Sequence, residues 1–171
     1  CGISQPTVKS WISVLESSYI VFQLQPFYAN LNKRVTKSSK LFFYDSGLLC
    51  HLLKIKDAEG LKLSSYKGSL FENFIISEYV KKNYHHNLLR DLWFWRDVVG
   101  HEVDLIWQED EMLNLVEIKA SETIMSDMFK GLTYFQKLSP ELVKSKTLVH
   151  TGLFNQDRNG VRVRSWKEIE L

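Results

Sequence analysis

Cysteine is almost absent from these 171 residues: Cys1 and Cys50 are the only two, and no CxxC spacing accompanies them. That excludes a disulfide framework and a zinc knuckle, and makes a reducing cytoplasm the expected setting. With three prolines, eight glycines, no internal repeat and no low-complexity tract, the chain has the composition of a soluble globular protein. No apolar run reaches the roughly 18 residues of a membrane span, and the N-terminus lacks a signal-peptide layout. Charge of one sign is also scarce. Lys and Arg number 22 against 20 Asp and Glu, a net +2, so a case for nucleic acid must rest on where the charges lie. There is no GxxxxGK[ST], hence no P-loop. The first residue is not Met, and the opening CGIS reads as the interior of a longer protein.

What is present is 44% apolar and 25% charged residues, enough for one ordinary domain or two small ones. Ser4 before Pro6, with Val8, Trp11, Ile12 and Leu15 at i, i+3, i+4 and i+7, predicts a capped amphipathic helix of about three turns. Residues 19–24 and 40–44 read as two strands joined by a loop carrying Lys33, Arg34 and Lys37. A helix followed by a ribbon with a basic tip is the second half of a winged helix, although any amphipathic helix beside a hairpin gives the same pattern. Asp45-Ser46-Gly47 punctuates before a short helix at 48–53, and the polar stretch 54–67 is expected to be a linker. The predicted organisation is a partial winged-helix segment over 1–53 and a second domain over 68–171.

From Gly68 a long helix carries Phe71, Phe74, Ile75, Ile76, Tyr79 and Val80 inward. Glu72 shares their stripe; alternatively it sits at the stripe's edge and pairs with a lysine. His85-His86-Asn87 reads as loop, because adjacent histidines face one another on neither regular element. Residues 92–96, LWFWR, form an aromatic strand whose tryptophans belong in a core more readily than under stacked bases. Later segments predict a helix over 126–138, a strand over 146–150 and a last strand over 161–166. Helix, three strands, helix, strand and a final short strand make an α/β layered domain.

The chemistry concentrates at residues 100–121, GHEVDLIWQEDEMLNLVEIKAS. Two apolar runs flank an acidic turn, and strand alternation puts Leu113, Leu115, Glu117 and Lys119 on one face with Asn114, Val116 and Ile118 on the other. A hairpin turn at 108–112 lets Asp104 approach Glu117 and Lys119 from the neighbouring strand. Two carboxylates and an ammonium suit a hard cation such as Mg²⁺, which needs one or two carboxylates plus waters. Asp104, Glu117 and the Ile118 carbonyl are candidate ligands, Glu72 a further one, and Lys119 would orient a water or neutralise charge developing on a phosphoryl group.

At Glu72, Asp104, Glu117 and Lys119 the chain resembles the PD-(D/E)xK nuclease superfamily, with Val103 where that family usually has proline. Gln136 resembles the extra polar residue of some members. Taken in order, SQPTVKSWISVLESSYIV, KLFFYDSGLL, GSLFENFIISEY, FWR…GHEVDLI and VEIKAS resemble the C-terminal region, a domain of unknown function, of a bacterial and archaeal family of AAA+ ATPases. The resemblance implies a restriction-endonuclease-like core behind a partial winged helix. It also implies Mg²⁺- or Mn²⁺-dependent DNA phosphodiester hydrolysis, with Lys9, Lys33, Arg34 and Lys37 on DNA phosphates and an ATPase module as partner. The alternatives are a catalytically inactive, nuclease-like DNA-binding or regulatory arm of that ATPase and a protein-interaction module.

Overall fold

The first elements form where local signals start them, in a computed structural model that describes residues 2–28 and 36–169. Ser4 caps helix α1 (Gln5–Ser17) by accepting the Thr7 N–H at 3.3 Å, with Pro6 in the first turn. Tyr19 takes a left-handed φ of 55°, which turns the chain and delays strand β1 to Val21–Pro26. β1 pairs antiparallel with β2 (Lys40–Phe43). Asp45 then caps α2 (Ser46–Leu52) through the Leu48 N–H. The expected linker over 54–67 instead contains α3 (Ala58–Leu63), begun by Asp57 accepting the Gly60 N–H at 2.8 Å. Six residues with little apolar periodicity hide such a helix, since only the cap announces it.

The long helix is α4 (Lys67–His85), so His85 ends a helix and does not lie in the loop. It is followed by β3 (Leu92–Arg96), β4 (Glu102–Glu109) and β5 (Met112–Lys119). The β4–β5 turn is the two residues Asp110 and Glu111, both at positive φ (51° and 65°), the conformation whose twist matches a tight hairpin. The helix expected over 126–138 splits into a 3₁₀ turn, Ser126–Phe129, and α5 (Lys130–Leu138). Strands β6 (Val143–His150), β7 (Gln156–Arg158) and β8 (Val161–Ser165) complete the chain; β7 is too short and polar to announce itself in sequence.

All eight strands join one mixed sheet in the order β2-β1-β3-β4-β5-β6-β8-β7. β3, β4 and β5 form an antiparallel meander, and β5, β6 and β8 run parallel. The N-terminal hairpin extends this same sheet: β1 lies parallel to β3 through Gln25↔Trp93 and Pro26↔Phe94. Residues on both sides of the expected linker therefore share one sheet.

The two faces carry two cores. Ile75, Ile76 and Tyr79 of α4 cover Leu105, Trp107, Val116 and Ile118. Leu132 and Phe135 of α5 cover Trp95, Ile106, Leu113 and Leu115. β5 is buried on both faces, which is why its sequence reads as a nearly unbroken apolar run. Each fully buried Leu or Ile contributes about 1.5–3 kcal/mol. Charge placed on such a strand is costly, so Glu117 at 6% exposure demands a reason.

Candidate active site

A bulge aims Asp104. Along β3 and β4 the partners are Trp93↔Ile106 and then Trp95↔Val103, two steps on one strand against three on the other, which leaves Asp104 and Leu105 in the irregularity. Asp104 Oδ2 then accepts the Ile118 N–H of β5 at 2.8 Å. Strand alternation carries Glu117 and Lys119 to the α5 face, and Lys119 Nζ lies 2.5 Å from Glu117 Oε1 and 4.0 Å from Asp104 Oδ2. The two carboxylates expected to approach one another thus face one ammonium.

Their protonation reflects crowding without water. Burial, then the neighbouring Glu72 charge, pushes Asp104 above the usual carboxylate range, against the pull of Lys119, Lys40 and the Ile118 N–H. Burial and then the Asp104 charge push Glu117 well up, against Lys119. Lys119 is held above its ordinary value because the carboxylates outweigh the burial that opposes its charge. Glu117 Oε2 is buried with no hydrogen-bond partner among the described residues. A buried acceptor left unsatisfied costs about 1–3 kcal/mol unless something is there to meet it.

Glu72 is drawn elsewhere. From α4 it receives Lys40 Nζ at 2.7 Å, and the same ammonium lies 2.5 Å from Glu102 Oε1 and 5.3 Å from the centre of the Phe94 ring. Arg96 closes the far side of Glu102 with Nε at 2.9 Å and Nη2 at 2.6 Å from Oε2. Burial opposes the charges on Lys40 and Glu102, yet their partners outweigh it, so Lys40 is raised and Glu102 lowered from their ordinary values. The helix-edge pairing with a lysine is therefore the arrangement Glu72 adopts. Lys40 and Glu102 escaped sequence reasoning. Glu102 had a signal, an acidic residue two positions before Asp104; Lys40 had none, because its contact spans 32 residues.

Gly131 in the first turn of α5 was also missed. A Cβ there would overlap the Glu102 carbonyl oxygen and come within 3.1 Å of Glu117 Oε2, so α5 can approach the site only with glycine at this position. Gln136 lies on α5 but is taken by Lys146 of β6. Lys9 and Lys37 are exposed; Lys33 and Arg34 lie outside the described residues.

No group of three or more His, Cys, Asp and Glu side chains among the described residues is arranged to hold a metal ion. Asp104 and Glu117 alone still fit the needs of Mg²⁺ or Mn²⁺. Both are desolvated, both resist ionisation, and Glu117 has an unsatisfied oxygen that a cation would meet. Among the described residues no helix is long and apolar enough to cross a membrane.

Comparison with known proteins places this cluster inside one family match. A model described as Domain of unknown function (DUF4143) matches residues 67–169, which include Glu72, Asp104, Glu117 and Lys119. A second, described as Domain of unknown function (DUF8612), matches residues 1–59, which include Lys40. An uncharacterized protein of Mycobacterium tuberculosis is 30% identical over 123 residues, 71% of this chain and 26% of that protein. One from Mycobacterium bovis has the same identity and coverage. The chain spans about a quarter of the length of these curated relatives. A glycoprotein of Irkut virus is 35% identical over 78 residues, a local likeness covering 44% of this chain and 14% of that protein.

Proposed function

We propose, for a chain that belongs to the Domain of unknown function (DUF4143) family, a Mg²⁺- or Mn²⁺-dependent hydrolysis of DNA phosphodiesters on a restriction-endonuclease-like, PD-(D/E)xK core. The observation that carries this reading is the pair Asp104 and Glu117 facing the Lys119 ammonium, with Glu117 Oε2 left without a partner. Those two carboxylates, with the Ile118 carbonyl, would hold the cation. The cation, when bound, supplies positive charge against the phosphoryl oxygens. Lys119 lies where it can orient a water or neutralise charge developing on phosphorus. Asp104, kept in place by the Ile118 N–H, needs no reorganisation to take part. Lys9 and Lys37 are exposed cations suited to backbone phosphates, which position a duplex without reading its sequence. Residues 1–53 are read as a partial winged helix, and the whole as the C-terminal part of an AAA+ family ATPase in the cytoplasm.

A second reading is favoured by one observation. Lys40 and Arg96 neutralise Glu72 and Glu102 from within the protein, so half of the acidic neighbourhood needs no cation. On this reading the domain is a nuclease-like arm that binds DNA or a protein partner without cutting. Incubating the protein and its Asp104→Ala variant with single-stranded, duplex and branched DNA in Mg²⁺ or Mn²⁺ separates the two. Hydrolysis predicts cleavage by the parent that falls about 10²–10³-fold in Asp104→Ala. Cleavage equal in both would remove Asp104 from the chemistry, and salt-sensitive binding without cleavage would favour the second reading.

A further inference from the structure

The turn between β3 and β4 holds a histidine in a manner that the carboxylate cluster does not require. Asp97, 2% exposed, accepts the backbone N–H groups of Val99, Gly100 and His101 at 2.8–2.9 Å on Oδ1, while Oδ2 lies 2.9 Å from His101 Nδ1. Burial opposes the Asp97 charge, but the His101 ring and those three N–H groups outweigh it and hold the carboxyl below its ordinary range. An ionised Asp97 can only accept, so Nδ1 carries the proton of this contact and Nε2 is the ring's remaining nitrogen. The ring lies flat on Tyr134 of α5, with centroids 3.7 Å apart and planes within 7°. It is fixed on two sides and still 35% exposed. A hairpin turn needs the backbone contacts to Asp97. It does not need an imidazole clamped by a second element.

The clamp and the candidate site meet the same helix. Tyr134 is three residues after Gly131, one helical turn and about 4.5 Å along α5. Gly131 is where the helix meets both the Glu102 carbonyl and Glu117 Oε2. His101 and the Glu117 carboxylate therefore lie against the same helix about one turn apart. A histidine oriented by a buried carboxylate is the arrangement that proton transfer uses on unrelated folds.

We propose that His101 is the proton donor to the leaving oxygen in phosphodiester cleavage, with Asp97 and Tyr134 as its positioning residues; this rests on the hydrolytic reading above. As water forms its bond to phosphorus, the bond to the sugar oxygen breaks and its electron pair stays on that oxygen. His101 acts as the imidazolium, with both ring nitrogens protonated, and its Nε2 proton moves to that oxygen, giving a hydroxyl end and a phosphate end. The attacking water loses its proton to solvent, and neutral His101 recovers one from solvent.

Leaving-group dependence tests the assignment, because a sugar alkoxide needs a proton and p-nitrophenolate does not. The parent, His101→Asn, His101→Gln and Asp104→Ala would be assayed on DNA and on bis(p-nitrophenyl) phosphate with Mn²⁺, with thermal melting run alongside. Asn retains an N–H that can reach Asp97 but has no proton to transfer. In both His101 variants, kcat on DNA should fall about 10²-fold or more while the activated ester loses under tenfold. An equal loss on both substrates, or no loss on DNA, in a variant that melts like the parent overturns the role of His101. If His101→Asn melts early, His101→Gln supplies the same ratio. A parent that hydrolyses neither substrate defeats the hydrolytic reading itself. A parent that depends on Asp104 but not on His101 defeats this inference alone.

Discussion

Two ion clusters lie beside one another at one end of the sheet, built from the same residue types and left in opposite states. Lys40, Glu72, Glu102 and Arg96 balance two cations against two carboxylates, with three ion pairs at 2.5–2.7 Å. Asp104, Glu117 and Lys119 set one ammonium against two carboxylates, both resisting ionisation, with one buried oxygen unmet. The difference is one of completion. A charge-balanced network holds structure together, whereas a cluster short of a positive charge has affinity left for a ligand. Among the carboxylates, side-chain exposures of 21–25% for Glu102 and Glu72 against 8–10% for Glu117 and Asp104 follow the same division.

Removing one lysine from each cluster should break the comparison most sharply. Lys119→Ala is expected to lower DNA cleavage by about 10²–10³-fold, equivalent to roughly 2.7–4 kcal/mol of transition-state stabilisation. Its melting temperature should move little, because Asp104 and Glu117 already favour their protonated forms and can take up protons when the ammonium is lost. Lys40→Gln should do the reverse. It leaves Glu72 and Glu102 facing one another across a gap, at a cost of about 1.5–3 kcal/mol, and should lower the melting temperature by roughly 2–4 °C for each kcal/mol. Should Lys119→Ala destabilise more than Lys40→Gln while cleavage survives, the assignment of a structural and a chemical cluster would be reversed.

The chemical cluster was the more legible of the two. Glu117 and Lys119 declared themselves by interrupting an apolar strand at a spacing of two, and alternation alone put them on one face. The β5 core residues followed by the same rule: Leu113 and Leu115 join one core, Val116 and Ile118 the other. Asp104 was recognised as misplaced charge, but the bulge that aims it was not. A one-residue irregularity leaves no mark in hydrophobic periodicity. The structural cluster was nearly invisible because the Lys40 to Glu72 contact depends on β1 and β2 extending the sheet, a pairing over long sequence separation. α3 and β7 were missed for a local reason, since six and three residues supply too few positions to show a period.

Gly131 connects the clusters, and a single methyl group there should disturb both. In an exposed helix, replacing glycine with alanine gains about 1 kcal/mol of helix propensity. Here the added Cβ would overlap the Glu102 backbone oxygen, which no rotamer change can move, and overpacking of that kind costs about 1–3 kcal/mol. Gly131→Ala is therefore expected to destabilise by about 1 kcal/mol net, despite the better helix former, and to lower cleavage because α5 must withdraw from Glu117. A variant that melts at or above the parent would show that the helix can shift freely, and would weaken the link between α5 and the carboxylates.

The clusters also separate by pH. Glu117 in the folded protein holds its proton more tightly than an ordinary carboxyl, so it adds stability below the usual carboxylate range that is lost as pH rises through its raised value. The ordinary range ends near pH ~5. Chelator-treated protein should accordingly lose melting temperature from there into the alkaline range, by at most about 1.4 kcal/mol per pH unit while the group titrates. Glu117→Gln cannot ionise and should melt with a flatter pH dependence. Glu102 carries the opposite sign: its lowered value means stability present at neutral pH and lost only on acidification. Mg²⁺ should restore stability to the parent most at high pH, where the Asp104 and Glu117 carboxylates have shed their protons, and should do little for Glu117→Gln. An equal gain in both proteins would place the cation away from Glu117.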